Sequence, residues 1–251
     1  MDATQRFSSR VGNYVRFRPG YPRQVIELLL QECGLNAEAT VADVASGTGI
    51  FTRLLLETGC RVFGVEPNPE MREAGEKFLG GDSRFTSVAG KAEGTTLPAH
   101  SMDLVTAAQA AHWFDLPRAR QEFVRILKPG GWAALIWNER SVDSTPFLRA
   151  YEDLLLAYGT DYKDVRHERT TANMQAFFSP SGYQERVFAV RQELDYEGLR
   201  GRLLSSSYVP HEGHNNYHPM LSELRRVFEE NQIEGQVTVP YRTLVYYGQL
   251  Q

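Results

Sequence analysis

The sequence predicts an α/β domain built on a largely parallel sheet with helices on both faces. Short apolar runs alternate with helical stretches from Val41 as far as Asn138, which is typical of strand–helix–strand units with right-handed crossovers. A glycine turn, Gly47-Thr-Gly49, joins the first run directly to a helix. The chain of 251 residues is long enough for one large domain with a small cap.

The first half of the chain predicts one helix and then five strands. Val25, Leu28 and Leu29 have helical spacing, which indicates a helix from Pro22 to Cys33 that packs on the sheet. Five apolar runs follow and are interpreted as strands at 40–45, 61–66, 85–89, 102–107 and 131–138. Helical stretches fill the intervals, as expected of a parallel sheet.

After Asn138 the pattern becomes less regular. Thr145-Pro146 opens a helix that runs to about Tyr158, and the charged stretch 161–173 carries no strand signal, so we expect an insertion here. The remaining predicted elements are a strand at 187–191, helices at 196–204 and 219–231, and a last strand at 237–247.

The glycine turn and the strand after it indicate a ligand that contains a ribose. Gly47 and Gly49 leave room for a ligand against the backbone and permit positive φ angles. The run from Val62 to Val65 ends in Glu66, at the carboxyl edge of the neighbouring strand. A carboxylate at that edge can accept hydrogen bonds from both ribose hydroxyls.

Two departures from nucleotide-binding motifs narrow the choice of ligand. Thr52 stands where a dinucleotide fingerprint requires a third glycine, and no Lys-Ser or Lys-Thr pair follows the turn as in a phosphate-binding loop. Asp43 lies in the mouth of the turn, where it would repel a pyrophosphate but attract an ammonium group. A ligand with a ribose, an ammonium group and no phosphate fits S-adenosylmethionine.

Several segments of the chain resemble one protein family. Asp43–Gly49 with Glu66 resembles the first two motifs of the class I S-adenosylmethionine-dependent methyltransferases. Further similar segments are the adenine-side loop at 90–98, the fourth strand at 102–109 and the turn into the fifth at 125–131. Segments 18–22, 111–115 and 205–210 are similar to small-molecule methyltransferases related to trans-aconitate methyltransferase. The resemblance implies a Rossmann-like sheet of seven strands, in which the last strand runs antiparallel between strands five and six.

On this basis we expect a single methyltransferase domain over residues 1–251. Its predicted parts are an N-terminal lid and helix at 1–37, a cofactor-binding core at 38–140, cap insertions at 141–182 and 205–232, and the C-terminal part of the sheet at 183–204 and 233–251. Open α/β sheets bind ligands at the carboxyl ends of their strands, so the cap should lie over that edge.

The motifs assign a set of residues to the cofactor. The resemblance and the chemistry of the turn predict contacts from Tyr14, Arg18, Asp43, Ala45, Gly47, Gly49, Glu66, Pro67, Met71, Ala92, Glu93 and Gln109. Met71 would pack on the adenine face, although it could instead be an ordinary core residue. Lys91 departs from the aspartate that is frequent in the family, so the predicted adenine contact rests on Ala92 and Glu93.

The segment after the fourth strand is the predicted centre of the chemistry. It presents Gln109, His112, Trp113 and Phe114 at the carboxyl end of that strand. We predict Gln109 and His112 beside the transferred methyl group and the two aromatic rings near the sulfonium, where a cation–π contact can form. The alternative is that both rings merely pack the next helix on the sheet. Predicted contacts to the methyl acceptor are Tyr21, Trp113, Asn138, Tyr208 and His211.

Methyl transfer is an in-line displacement that depends mainly on alignment of the nucleophile. A carboxylate acceptor would need only orientation, for which an arginine fork is suited. A hydroxyl or an amine would need a base, and an imidazole such as that of His112 titrates in a suitable range. The sequence leaves both alternatives open.

The amino-terminal segment is predicted to be a lid. Tyr14, Arg16, Arg18 and Tyr21 form an aromatic and cationic cluster next to two prolines, which is too stiff a sequence for disorder. By resemblance this segment would fold over the cofactor, where Arg18 could meet a carboxylate of the cofactor or of the acceptor. The arginines could equally be surface charges.

Composition disfavours several other functions. The net charge is −4 and the cationic residues form no basic stripe, which argues against nucleic acids. No apolar run reaches the roughly 18 residues of a membrane span, and the start carries no secretion signal, so the expected location is the cytoplasm. Cys33 and Cys60 should be reduced. His211, His214 and His218 lie in a loop without a helical metal-binding motif, so no metal site is predicted.

Three hypotheses about function stay open at this point. The first is an S-adenosylmethionine-dependent methyltransferase that acts on an oxygen or nitrogen of a small molecule, as a monomer or a homodimer. The second is an NAD(P)-dependent oxidoreductase, against which Thr52 and Asp43 count. The third is a non-catalytic protein that binds an adenosyl ligand, against which the aromatic residues and histidines of the predicted cap count.

Overall fold

The computed structural model describes residues 12, 16–162 and 171–250, so Tyr14, a predicted cofactor contact, lies outside the described residues. The helices of the described part are α1 (Arg23–Glu32), α2 (Ile50–Leu56), α3 (Pro69–Leu79), α4 (Leu116–Ile126), α5 (Pro146–Tyr158), α6 (Thr171–Phe178), α7 (Tyr196–Leu204) and α8 (Tyr217–Asn231). The strands are β1 (Thr40–Val44), β2 (Arg61–Val65), β3 (Phe85–Val88), β4 (Met102–Ala108), β5 (Leu127–Arg140), β6 (Gln184–Leu194) and β7 (Val237–Gln249).

The seven strands form one mixed sheet in the order β3-β2-β1-β4-β5-β7-β6. Neighbouring strands from β3 to β5 are parallel, whereas β7 runs antiparallel to both β5 and β6. The predicted seven-stranded sheet, with its antiparallel last strand between strands five and six, is therefore confirmed. The strand order reverses between β1 and β4, which leaves a crevice at their carboxyl ends.

Apolar side chains cover both faces of this sheet. On one face, Phe123 of α4 and Phe177 of α6 pack with Val44 and other core residues. On the other face, Leu29 of α1 and Leu55 of α2 pack with apolar residues of the central strands. Strands buried on both faces read as continuous apolar runs, which is why the sequence located them.

Local sequence also explains where three helices begin. Asn68, Asp115 and Thr145 cap α3, α4 and α5 by accepting a hydrogen bond from a backbone N–H three residues further on. Each helix has a proline in its first two positions, where the missing N–H costs no hydrogen bond. The caps of α3 and α4 fix the loops that precede these helices at the carboxyl edge of the sheet.

A third core belongs to the cap. Apolar residues of α5, α7 and α8 pack together with the first residues of β7, among them Leu148, Leu203, Leu224 and Val239. The helices predicted at 145–158, 196–204 and 219–231 are present with bounds close to those expected. They lie at the end of the sheet where Arg140 of β5 and Tyr241 of β7 pair.

Helix α6 differs from the sequence-based expectation. The predicted insertion 141–182 was expected to belong to the cap, but Met174, Phe177 and Phe178 are buried in the main core beside α4. The ring of Phe177 meets that of Phe123 edge to face at a centroid distance of 5.7 Å. The sequence did not predict where this short helix packs. A charged stretch precedes it, and its apolar residues contact partners that are distant in the chain.

The last three strands are longer than predicted. β5 begins at Leu127 and β6 covers 184–194, where 131–138 and 187–191 were expected. Charged side chains occupy many added positions of β6, which is an edge strand with mostly exposed side chains. Backbone pairing with β4 at Leu127 and with β7 along the other strands decides these lengths, and a pattern of alternating apolar residues does not reveal such pairing.

No helix in the described part of the chain is long and apolar enough to cross a membrane. Cys33 and Cys60 are both buried and unpaired with each other.

The packing of α6 predicts a large effect of truncating Phe177. We expect Phe177→Ala to lower the free energy of unfolding by about 3–5 kcal/mol, because it leaves a cavity in the main core. Gln175→Ala in the same helix is the matched control, since Gln175 is exposed and should change stability by less than about 0.5 kcal/mol. Urea unfolding of both variants measures the difference. Equal, small effects would contradict the docking of α6 on the sheet.

Candidate functional site

Three adjoining cavities lie at the carboxyl edge of the sheet. The Glu66 cavity, of about 140 Å³, is lined by residues that include Glu66, Pro67, Met71, Ala92, Glu93 and Trp113. The turn cavity is lined by residues that include Arg18, Tyr21, Asp43, Gly47, Arg202 and Tyr241. The open cleft, of about 1430 Å³, is lined by residues that include His112, Arg140, Tyr162, Arg202, Tyr208 and Tyr241. Gln109 lines all three cavities and so marks the point where they meet.

Glu66 joins the end of β2 to the glycine turn. Its Oε2 accepts a hydrogen bond from the Gly47 N–H at 2.9 Å, and its Oε1 accepts one from the Asn68 N–H at 2.8 Å. Burial raises the pKa of this carboxyl, although the two N–H donors and Arg72 oppose the shift. Each oxygen retains a lone pair that can accept a further hydrogen bond. The predicted ribose contact is therefore compatible with a second, structural role of Glu66.

Asp43 is buried below the turn between two threonines. Thr52 Oγ1 donates to Oδ2 at 2.6 Å and Thr106 Oγ1 donates to Oδ1 at 2.9 Å. Burial raises the pKa of Asp43 from 3.8 to about 6; both hydroxyls oppose this shift, and the nearby Glu66 adds to it. In the sequence, Thr52 was notable only because it replaces the third glycine of a dinucleotide motif. In the structure, its hydroxyl holds the Asp43 carboxyl in place.

The backbone of the turn adopts the left-handed conformation at several positions. The φ angles are +56° at Ala45, +57° at Gly47 and +83° at Gly49. A Cβ at Gly47 would lie 3.3 Å from Met71 Cε, so a side chain there would press on the floor of the Glu66 cavity. Gly49 instead abuts Leu79, behind the turn, where a Cβ would lie 3.0 Å from Cδ1. Gly47 therefore lines the cavity, and Gly49 supports the packing of α2.

The predicted adenine contacts lie together in the Glu66 cavity. Met71 and Ala92 are buried in its wall, and Glu93 lies beside them. The carboxylate of Glu93 already accepts a hydrogen bond from the Asp115 N–H at 2.8 Å, which ties this loop to the cap of α4. Trp113 lines the Glu66 cavity as well, although the sequence placed it at the acceptor.

Gln109 and Asn138 are linked to each other and to their surroundings. Gln109 has a φ of +57° and donates its side-chain N–H to the Asn138 carbonyl at 2.8 Å. The Asn138 side chain donates to the Gly20 carbonyl and accepts from Thr243 Oγ1. Non-glycine residues seldom adopt positive φ, and those that do cluster at functional sites. Gln109 and Asn138 line both the turn cavity and the cleft, and their hydrogen bonds fix this part of the wall between the two.

The amino-terminal segment borders the site. Arg18 lines the turn cavity and the cleft, and its Nη2 donates to the Ser205 carbonyl at 3.0 Å. Tyr21, predicted at the acceptor, lines the turn cavity and packs edge to face on Phe51 at 5.0 Å. Of the predicted acceptor contacts, Asn138 and Tyr208 line the cleft together with the predicted base His112.

His211 lies apart from these cavities. Its side chain is exposed, its Nδ1 is 2.8 Å from the Glu212 carbonyl, and it does not line the cleft. Among the described residues, no group of three His, Cys, Asp or Glu side chains is arranged to hold a metal ion.

The cleft is also lined by residues that the sequence did not indicate, among them Arg140, Arg202 and Tyr241. Arg140 forms an ion pair with Glu152 at 2.5 Å, and Arg202 of α7 donates from Nε to the Tyr241 hydroxyl at 3.0 Å. Arginine on a helix is usually a surface residue, so no sequence signal marked Arg202 as buried. Only the packing of the cap against β5 and β7 turns these side chains inward.

Comparisons with known proteins find methyltransferases to which this chain is similar. Residues 42–135 match the methyltransferase domain family. An uncharacterised methyltransferase of Mycobacterium tuberculosis is 40% identical over 139 residues, 55% of this chain and 54% of that protein. The chain thus spans about half the length of this curated relative. A methyltransferase-like protein of Schizosaccharomyces pombe is 27% identical over 248 residues, 96% of this chain and 93% of that protein.

A solved structure supports the same conclusion. The structure of a candidate type II methyltransferase from Anaeromyxobacter dehalogenans superposes with a TM-score of 0.68 at 25% identity, over 93% of this chain and 98% of that one. The predicted resemblance to class I methyltransferases is therefore confirmed, and S-adenosylmethionine is the cofactor that this domain implies. The narrower likeness to relatives of trans-aconitate methyltransferase stays a prediction.

The buried state of Asp43 predicts a pH dependence of stability. Its pKa is raised from 3.8 to about 6 in the folded protein, so between these values the folded state holds a proton that the unfolded state has lost. Stability should therefore fall as the pH rises from about 4 to about 6. Asp43→Asn keeps the shape and cannot ionise, and its hydroxyl partners can both donate and accept. Thermal unfolding of both proteins from pH 4 to pH 7 measures the difference, and parallel profiles would contradict it.

Proposed function

We propose that this chain, which carries a class I methyltransferase domain, is an S-adenosylmethionine-dependent enzyme that methylates an oxygen or nitrogen of a small molecule. The observation that supports the proposal most is the connection at Gln109 between the Glu66 cavity, the turn cavity and the cleft. A cofactor bound along the first two cavities would face an acceptor in the third.

The residues present fit the cofactor. The two oxygens of Glu66 are held by backbone N–H groups and can still accept from a ribose diol. Met71 and Ala92 supply an apolar wall for a base, and Trp113 supplies an aromatic face. Asp43 and Glu66 give the turn an acidic character that favours an ammonium group. Arg18, at the turn cavity, could meet the carboxylate.

The acidic turn also argues against the nicotinamide alternative. A dinucleotide requires its pyrophosphate to lie against the start of α2, where the buried Asp43 would oppose it. Thr52 is engaged with that carboxylate and leaves no glycine for close packing. The cleft, in turn, gives a methyltransferase room for an acceptor, which a purely binding protein would not need.

S-adenosylmethionine, when bound, supplies a methyl group whose bond to sulfur breaks as the lone pair of the acceptor bonds to carbon. The chain's own contribution would be alignment, since Gln109 and Asn138 fix the wall between the two ligands. For a hydroxyl or an amine acceptor, His112 in the cleft would remove the proton. A carboxylate acceptor has no proton to lose and would be oriented by arginine. A cytoplasmic location, as a monomer or homodimer, stays a prediction.

Calorimetric titration with S-adenosylhomocysteine, the demethylated cofactor, tests the proposal. We expect micromolar binding to the native protein and about tenfold or more weaker binding to Glu66→Gln, because the amide has only one acceptor oxygen and carries no charge. Glutamine is preferred to alanine because it keeps one backbone contact and the volume of the side chain.

The matched control for this titration is Glu70→Gln. Glu70 lies in the first turn of α3 with an exposed side chain, so its replacement removes the same charge four residues away. We expect its affinity to equal that of the native protein. Absence of binding to the native protein would overturn the methyltransferase proposal. Equal losses of affinity in Glu66→Gln and Glu70→Gln would show that Glu66 has no specific role in binding.

A further inference from the structure

Arg202 is a buried cation at the junction of the turn cavity and the cleft. It stands on the last turn of α7, the residue is only 8% exposed, and it lines both cavities. Buried guanidinium groups are costly unless they are paired, because burial removes the favourable hydration of the charge. The partners of this side chain therefore decide what it does.

Among the described residues, its hydrogen-bond partner is the hydroxyl group of Tyr241. Nε donates to the Tyr241 hydroxyl at 3.0 Å, and the guanidinium also lies 5.7 Å from the centre of that ring. Among residues 16–162 and 171–250, no carboxylate lies within 4.0 Å of Arg202. The Nη groups, which form the open side of the fork, make no hydrogen bond to the described residues and are not sealed from solvent.

Arg140 in the same cleft provides the contrast. It forms an ion pair with Glu152 at 2.5 Å and lies 3.3 Å from the Tyr162 hydroxyl, so its charge is neutralised inside the protein. No comparable acid serves Arg202 among the described residues. Burial raises the pKa of Tyr151 above its ordinary value, with Arg202 opposing the shift, so this neighbouring phenol is neutral at pH 7. The positive charge of Arg202 is therefore left for a ligand.

We propose that Arg202 binds a carboxylate of the methyl acceptor through its two Nη groups. The guanidinium fork matches a carboxylate in bidentate geometry, and the match is strong where water is excluded. Tyr208, Tyr241 and Tyr246 line the same cleft and offer aromatic surface to the body of such an acceptor. The inference rests on the proposed function, because it names the chemical class of acceptor for that site.

The cofactor has a carboxylate of its own, which is the competing source of this group. Arg18 lines the turn cavity beside the glycine turn and offers a second cation there. Arg202 comes from the cap side and shares the cleft with Arg140 and Tyr208. Both arginines line the turn cavity and the cleft, but Arg202 belongs to the cap helix α7, so we assign it to the acceptor, and separate titrations of the two ligands distinguish the two sources.

The test titrates the native protein with simple carboxylates and their uncharged amides. Benzoate is compared with benzamide, and succinate with succinamide, by calorimetry with and without saturating S-adenosylhomocysteine. We expect at least one carboxylate to bind about tenfold or more tightly than its amide, because only the anion pairs with the guanidinium. Arg202→Gln should abolish this preference, and Arg202→Lys should keep part of it, since lysine keeps the charge without the fork.

Arg242→Gln is the matched control. Arg242 lies at the rim of the same cleft, is exposed, and pairs with Glu139 at 2.7 Å. Its replacement removes one positive charge from the cleft without touching the buried fork, and the carboxylate preference should be unchanged. Tyr241→Phe, which removes the Nε partner but keeps the guanidinium, should also keep the preference. Thermal unfolding of each variant shows whether it is folded, and the native carboxylate-to-amide ratio stands even if Arg202→Gln does not fold.

Three results would overturn the proposal. One is a native protein that shows no preference for either carboxylate over its amide. Another is equal loss of the preference in Arg202→Gln and Arg242→Gln. The third is an Arg202→Gln protein that loses affinity for S-adenosylhomocysteine but retains the carboxylate preference. If the native protein binds carboxylates through Arg202 but not S-adenosylhomocysteine, the anion site stands and the methyl-transfer function fails.

Discussion

The contact on which the site depends is the double hydrogen bond that Glu66 accepts from the backbone. One oxygen holds the N–H of Gly47 in the turn after β1, and the other holds the N–H of Asn68 at the start of α3. These two loops come from different strands, so a single carboxylate sets the distance between them. Gly47 is one of the left-handed residues of the turn, and the Asn68 side chain in turn accepts a hydrogen bond from the Met71 N–H.

The buried acids and the buried arginines of the site lie in different places. The sheet side contributes the buried acids Asp43 and Glu66, and burial raises the pKa of both. The cleft side contributes the arginines Arg140 and Arg202, of which only Arg140 has a carboxylate partner among the described residues. A ligand pair with a cationic centre near the turn and an anionic group near the cap would satisfy both sides. Such ligands would offset the cost of burying these charges.

Hydrogen bonds between several segments hold the wall that separates the turn cavity from the cleft. Gln109 leaves β4 with a positive φ and is bonded to the Asn138 carbonyl, while the Asn138 side chain reaches both the amino-terminal segment and β7. The antiparallel insertion of β7 beside β5 brings Thr243 within hydrogen-bond distance. Four parts of the chain that are separated in sequence therefore fix the wall between the turn cavity and the cleft.

The sequence by itself determined the strands β1 to β4, the glycine turn and the two acids, because these features depend on residues close together in the chain. It predicted Trp113 and Tyr21 as acceptor contacts, whereas Trp113 lines the Glu66 cavity and Tyr21 lines the turn cavity, and it predicted His211 as an acceptor contact, whereas His211 lies apart from the three cavities. It missed Arg202 and the docking of α6 altogether. Those features depend on contacts between distant segments, and tertiary packing alone decides which arginine is buried and which carboxylate is near enough to pair with it.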